Sequence, residues 1–150
     1  MIKEYRISDR EELLGVFKLN IPKYFAPKEV DDFLEYLDDH GDSYLTIEKD
    51  NKIVGGIGYL FNVSDKSGQI TWIFLHPEYT DHGLGKQAVE HCMTLLKSNP
   101  EIVKLVVTTS QLAFRFFEKF GFILIKTGKD YWGPGLDLFL MEIQLNDEYV

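Results

Sequence analysis

The sequence predicts an α/β fold, a mixed sheet flanked by about four helices, on three observations. Apolar residues recur at helical spacing in four stretches, strand-length apolar runs lie between them, and glycine or proline punctuates most junctions. The resulting order is β-α-α-β-β-β-α-β-α-β-β, read as one domain over residues 1–150. An apolar fraction of 45% and a charged fraction of 27% fit a globular chain, and eleven Phe with eight Tyr make its core aromatic.

Each element has a local reason. IKEYRI alternates and reads as a first strand. Ser8 and Glu11 have capping-box spacing ahead of a helix whose apolar face is Leu13, Leu14, Val16 and Phe17. Pro22 and Pro27 frame a break, and Pro27 suits the first turn of a second helix. There Val30, Phe33, Leu34 and Leu37 fall at i, i+3, i+4 and i+7, and Gly41 ends the run. SYLTIEK and IVGGIGYLF, joined by DNK, form an antiparallel hairpin. Gly55, Gly56 and Gly58 would weaken its second strand unless a neighbour packs closely on them. QITWIFL is the next strand, followed by a glycine turn and a helix from about Gly85 to Lys97 with Ala88, Cys92, Leu95 and Leu96 as its stripe. IVKLVVTT is a buried-type strand. SQLAFRFFEKFGF is a helix presenting Ala113, Phe116, Phe117 and Phe120 and stopped by Gly121, and two strands around a Gly-Pro turn complete the chain.

Composition narrows the function classes. With a formal net charge of −8 and no basic stretch, nucleic acid is a poor partner. No apolar run approaches membrane-spanning length and the charged start is no signal peptide, so no membrane partner is expected. Cys92 alone cannot form an internal disulfide, which fits a cytoplasmic protein. No His, Cys and carboxylate spacing matches a metal site, so no metal is expected.

The stretch HPEYTDHGLGKQAVEH, residues 76–91, concentrates the chemistry. Gly83 and Gly85 precede a helix whose first N–H groups lack internal partners and carry the positive end of its dipole. Without a Cβ they let an anion approach those groups, and Lys86 adds a charge. An ordinary loop that uses glycine for its dihedrals has the same appearance, and both readings stand on the residues alone.

The stretch ITWIFLHPEYTDHGLGKQAVEHCM resembles the acetyl-CoA-binding segment of the GNAT superfamily of N-acetyltransferases, a strand ending V-x-P followed by Q/R-x-x-G-x-G/A and a helix. Leu75 stands at the usual Val, with Pro77, Gly83 and Gly85 in place. SQLAFRFFEKFGF resembles the family's N-x-x-A-x-x-F-Y-x-K-x-G-F through Ala113, Phe116, Glu118, Lys119, Gly121 and Phe122. The resemblance implies a mostly antiparallel twisted sheet whose bulged fourth strand splays from the fifth, with pantetheine in the gap. It implies that Ile73 and Leu75 pair with the cofactor, the Ile73 N–H facing the thioester carbonyl where charge develops. Thr80, His82, Gly83, Leu84, Gly85 and Lys86 would surround the pyrophosphate, and Ser110, Ala113, Phe116 and Phe117 the far side. The partners implied are acetyl-CoA and an amine acceptor, and a homodimer is open to such a chain.

The sequence departs from the family where proton transfer is usual. The carboxylate position is Gln69, which does not titrate and can only orient a water or the amine; the tyrosine position is Phe117, which has no proton to give. The usual Asn is Ser110, and the Gln/Arg before the glycines is Thr80. Tyr131 and Asp137, in the turn KDYWGPGLD, are candidates for acid and base, and Tyr59 is a further acceptor-side candidate. Positioning with a water relay is the route that needs neither. Glu29, Asp31, Asp32, Glu35, Asp38 and Asp39 offer an acidic rim or a plain solvated face. His76 and Cys92 read as structural. The expected function is transfer of an acetyl group from acetyl-CoA to a primary amine; the alternative is a GNAT-like module that binds acyl-CoA without turnover.

Overall fold

The computed structural model describes residues 1–145. Its strands are β1 (Ile2–Glu4), β2 (Tyr44–Lys49), β3 (Lys52–Asn62), β4 (Ser67–Leu75), β5 (Lys104–Thr109), β6 (Ile123–Gly133) and β7 (Leu136–Gln144), and its helices α1 (Arg10–Lys18), α2 (Glu29–His40), α3 (Leu84–Lys97) and α4 (Phe114–Glu118). The element order is the one the sequence predicts. The strands form one sheet in the order β1-β2-β3-β4-β5-β7-β6. Among the described residues only β4 and β5 run parallel, because α3 carries the chain across between them. Among the described residues no helix is long and apolar enough to cross a membrane.

Helices cover both faces of the sheet. On one, Leu13, Phe17, Phe33 and Leu37 of α1 and α2 pack on Tyr44, Ile53 and Phe74. On the other, Leu84, Ala88, Val89, Cys92 and Leu96 of α3, with Phe117 of α4, pack on Ile47, Val54, Ile57, Ile70, Leu105 and Val107. Burial lifts the Cys92 thiol to about 12, so it packs as a small hydrophobe, as its place on the apolar stripe predicts.

The weak strand anticipated at Gly55–Gly58 is filled by aromatic side chains. A Cβ on Gly56 would lie 2.6 Å from Tyr44 Cε2, and one on Gly58 would lie 2.7 Å from Tyr36 Oη and 2.9 Å from Tyr44 Cδ1. The two glycines therefore seat two tyrosines against the α1/α2 face of β3.

Local details differ from expectation for identifiable reasons. Ser8 does not cap α1: a 3-10 turn over Ile7–Asp9 intervenes, and the Asp9 carboxylate accepts the Arg6 N–H at 3.0 Å. Helix α2 begins at Glu29, two residues past Pro27. Glu29 is not part of an acidic rim; it is 5% exposed, and its carboxylate turns inward to accept the Ala26 N–H at 2.8 Å. Helix α4 is only five residues, because i to i+3 bonds tighten both ends: Phe116 N–H to Ala113 C=O and Gly121 N–H to Glu118 C=O.

Gly58→Ala drives a methyl into the two phenols. It should cost about 1–3 kcal/mol of stability, read as a lower urea midpoint at unchanged m-value. An unchanged midpoint would show that the tyrosines are loosely seated.

Candidate active site

The site begins where the sheet comes apart. Strand β4 pairs with β5 only from Ser67 opposite Lys104 to Ile70 opposite Val107. Beyond that, Thr108 and Thr109 continue along β7, while Thr71–Leu75 stay with β3 alone. Within that released segment Gly56 faces Phe74 and Gly58 faces Thr71, so Trp72 and Ile73 together oppose Ile57. This is a bulge, and within it Trp72 has a left-handed φ of 45°. The bulge and splay expected from the resemblance are both present.

The bulge disturbs side-chain alternation. Trp72 lies in the aromatic cluster of the α1/α2 face, stacked on Phe25 with ring centroids 6.0 Å apart, and Ile73 packs with the opposite core. On the α1/α2 face Tyr36 Oη and Thr71 Oγ1 share a hydrogen bond of 2.6 Å, and the Tyr44 hydroxyl donates to the Trp72 carbonyl at 2.7 Å.

Further along, the His76 N–H donates to the Val54 carbonyl at 2.6 Å. The alternation of an antiparallel ladder then makes Gly55–Leu75 a non-hydrogen-bonded pair, so the N–H and C=O of Leu75 point away from β3 into the split. Asn20, 5% exposed in the α1–α2 connection, donates its Nδ2 to that carbonyl at 3.0 Å and to the Val16 carbonyl at 3.2 Å. The Leu75 N–H remains turned to the gap.

At the mouth of the split the chain turns through Pro77–Tyr79 into α3. His76 is structural, as its sequence context predicts: its Nδ1 accepts the Glu78 N–H at 3.1 Å. Tyr79 is 9% exposed, with His76 and His82 each set edge-on at 5.5 Å. Thr80 donates its hydroxyl to the Pro77 carbonyl at 3.3 Å. Gly83 has φ 74°, and a Cβ added to it would meet nothing within 4 Å, so the surface of the turn is open. Among the described residues no acceptor takes the N–H of Leu84, Gly85 or Lys86; the first helical bond runs from Gln87 N–H to Gly83 C=O. A Cβ on Gly85 would lie 3.4 Å from Phe116 Cζ and 3.5 Å from Leu75 Cδ1, so α3, α4 and β4 meet at this glycine.

Other expected residues divide into two groups. Ser110 is buried, and its Oγ accepts the Leu112 N–H at 3.2 Å, shaping the turn into α4 where Ala113 and Phe116 stay partly exposed. Phe117 is 1% exposed and meets Phe116 and Phe122 edge-on, so its ring supports the site from the core. Gln69 lies in the zipped part of β4, between Leu60 and Val106. Tyr59, the further acceptor-side candidate, packs on the α3 side of the sheet and with Leu95, Leu96 and Ile102 lines a cavity of about 220 Å³.

The β6–β7 hairpin reaches over the same region. Trp132 Nε1 donates to the Thr109 carbonyl at 3.0 Å, covering the end of β5. A Cβ on Gly133 would lie 2.8 Å from the Ala26 Cβ, which shows hairpin and α1–α2 connection in close contact. Tyr131 is 59% exposed at this tip. Asp137 Oδ1 accepts the Asp130 N–H at 2.8 Å, and Gln111 binds both the Asp137 N–H and the Gly135 carbonyl. One Asp137 oxygen is thus engaged in holding the hairpin shape.

Sequence patterns do not single out Asn20, Tyr36, Tyr44, Thr71 or Trp132 as site residues. The one usable signal is the cluster of strand glycines, which demands large partners without naming them.

The profile of the Acetyltransferase (GNAT) family matches residues 11–122. An N-alpha-acetyltransferase of Sulfurisphaera tokodaii is 26% identical over 161 residues, covering 96% of this chain and 92% of its own. Among solved structures, Ard1 from Thermoplasma volcanium superposes with a TM-score of 0.80 at 15% identity over 98% of each chain. An aminoglycoside 6′-N-acetyltransferase complexed with coenzyme A gives 0.76 at 11% identity over 98% of each. A split sheet beside an open helix start, within a chain matched over most of its length, leads to one assignment: this chain is an acetyltransferase of the GNAT family.

Proposed function

We propose that this enzyme moves an acetyl group from acetyl-CoA to a primary amine, and that the α-amine of a peptide or protein is its favoured acceptor. The observation that carries this is the release of β4 from β5 beside the unpaired N–H groups of Leu84, Gly85 and Lys86. Such groups fit a diphosphate, with Gly83 leaving the approach open and Lys86 and His82 at its rim. The acyl-CoA thioester supplies an activated carbonyl. The Ile73 N–H is the donor we assign to that carbonyl oxygen, the Leu75 N–H a pairing group for the pantetheine, and Ser110, Ala113 and Phe116 its far wall.

The acceptor class follows from what does not titrate. Gln69 cannot take a proton and Phe117 cannot give one. An α-amine with a pKa near 8 is about 10% neutral at pH 7, whereas a lysine near 10.4 is only about 0.04% neutral. A site that aligns the amine without a strong base therefore favours the α-amine. The N–C bond forms as the C–S bond breaks, the nitrogen proton passes to water, and sulfur leaves as a thiolate. We keep Tyr131 and Asp137 of the hairpin as candidate acid and base: Asp137 would relay the nitrogen proton, and Tyr131 would give one to the departing thiolate. The relatives that carry the name N-alpha-acetyltransferase support the same acceptor.

Thiol release should be at least tenfold faster at pH 7 with a lysine-free peptide bearing a free α-amine than with an N-terminally blocked peptide bearing one lysine. The rate should climb towards about pH 8, following the amine. A faster lysine peptide would overturn the acceptor class. Silence with both peptides, with coenzyme A still bound, would favour the binding-only alternative.

Gly83→Asp tests the turn itself. Aspartate tolerates the left-handed conformation, so the fold should persist, while its carboxylate repels a phosphate at those N–H groups. Calorimetry should show coenzyme A affinity reduced at least tenfold; equal affinity would remove the turn from the site.

A further inference from the structure

Resting on the acetyl-transfer reading above, the geometry points to Tyr44 as a positioning residue for the Ile73 N–H, assisted by Tyr36. The Trp72 carbonyl and the Ile73 N–H belong to one planar trans peptide and point in opposite directions. The Tyr44 hydroxyl donates to that carbonyl at 2.7 Å. Fixing the oxygen on the α1/α2 side therefore fixes the N–H on the other. The same bond draws electron density towards the oxygen and strengthens the N–H as a donor, as hydrogen bonds in series polarise one another.

The peptide needs holding, because Trp72 at φ 45° occupies a region that a bulky side chain rarely adopts. Three features of the chain supply the hold. Tyr44 is fully buried, with its ring in the space left by Gly56 and Gly58. Tyr36, from α2, holds the residue before the bulge through Thr71 at 2.6 Å. The Trp72 ring is packed among Phe25, Phe33 and Tyr36, with centroids 6.0, 5.3 and 6.2 Å away. Burial also keeps both phenols protonated, pushing Tyr36 up to about 12 and Tyr44 well up from its ordinary value. They act through hydrogen bonds over the working pH range and not as proton carriers.

Amide spectra of the full chain with coenzyme A and with acetyl-CoA test the assignment, since only the second presents a carbonyl to Ile73. In the unaltered protein the Ile73 proton should move downfield with acetyl-CoA relative to coenzyme A. In Tyr44→Phe that difference should fall by at least half, while the shifts of Leu84 and Gly85 caused by either ligand persist. With an α-amine peptide, kcat should fall about tenfold and KM for acetyl-CoA should stay within twofold, a split that general loosening would not give. Tyr36→Phe should show a smaller reduction of the Ile73 difference, and it carries the test if Tyr44→Phe does not fold. An undiminished Ile73 difference in the folded variants would overturn the role of the tyrosines. Absent shifts at Leu84 and Gly85 in the unaltered protein would overturn the cofactor reading itself.

Discussion

A strand inside a sheet must pair its backbone on both sides or leave polar groups wanting partners. Strand β4 meets that requirement up to Ile70 and abandons it over Thr71–Leu75, where β5 has turned away to follow β7. The organisation of the site follows from that release. A central strand with one open side offers peptide donors and acceptors to whatever lies in the gap. The crossover helix α3 brings its own unpaired N–H groups to the same mouth.

The opening is kept by packing on the closed side. The α1/α2 face carries a dense set of rings, and the glycines of β3 let two of them reach β4 directly. Asn20 meets the Leu75 carbonyl, so one of the polar groups that β5 fails to serve is answered from a helix connection. The hairpin and the α1–α2 connection close over the top through Gly133 and Ala26. Part of the aromatic content of the sequence, Phe17, Phe25, Phe33, Tyr36, Tyr44, Trp72 and Phe74, thus packs on the closed side of the strand that has lost a neighbour.

The element order was legible because each segment states its own period and most junctions carry glycine or proline. The turn at Gly83 was legible for a similar reason: a left-handed φ has a strong residue preference, and the chain shows it locally. Other contacts had no local trace. Tyr44 and Trp72 are 28 residues apart, Tyr36 and Thr71 35, Asn20 and Leu75 55, and no periodicity announces a pairing at such range. Tyr59 was a candidate only through its place on the glycine-containing strand, and which face of β3 it takes, the α3 side, had no local trace. Phe117 stands at the motif's tyrosine position yet lies in the core, because a motif records residue order and not which way a short helix is rolled.

The most direct check of the released strand is amide hydrogen exchange. In the protein alone, the Leu75 N–H should exchange far faster than the N–H groups of the paired stretch, and coenzyme A should slow it at least tenfold. Equal protection of Leu75 and Val107 in the absence of ligand would mean that β4 is paired along its length, and the account of the site would be wrong.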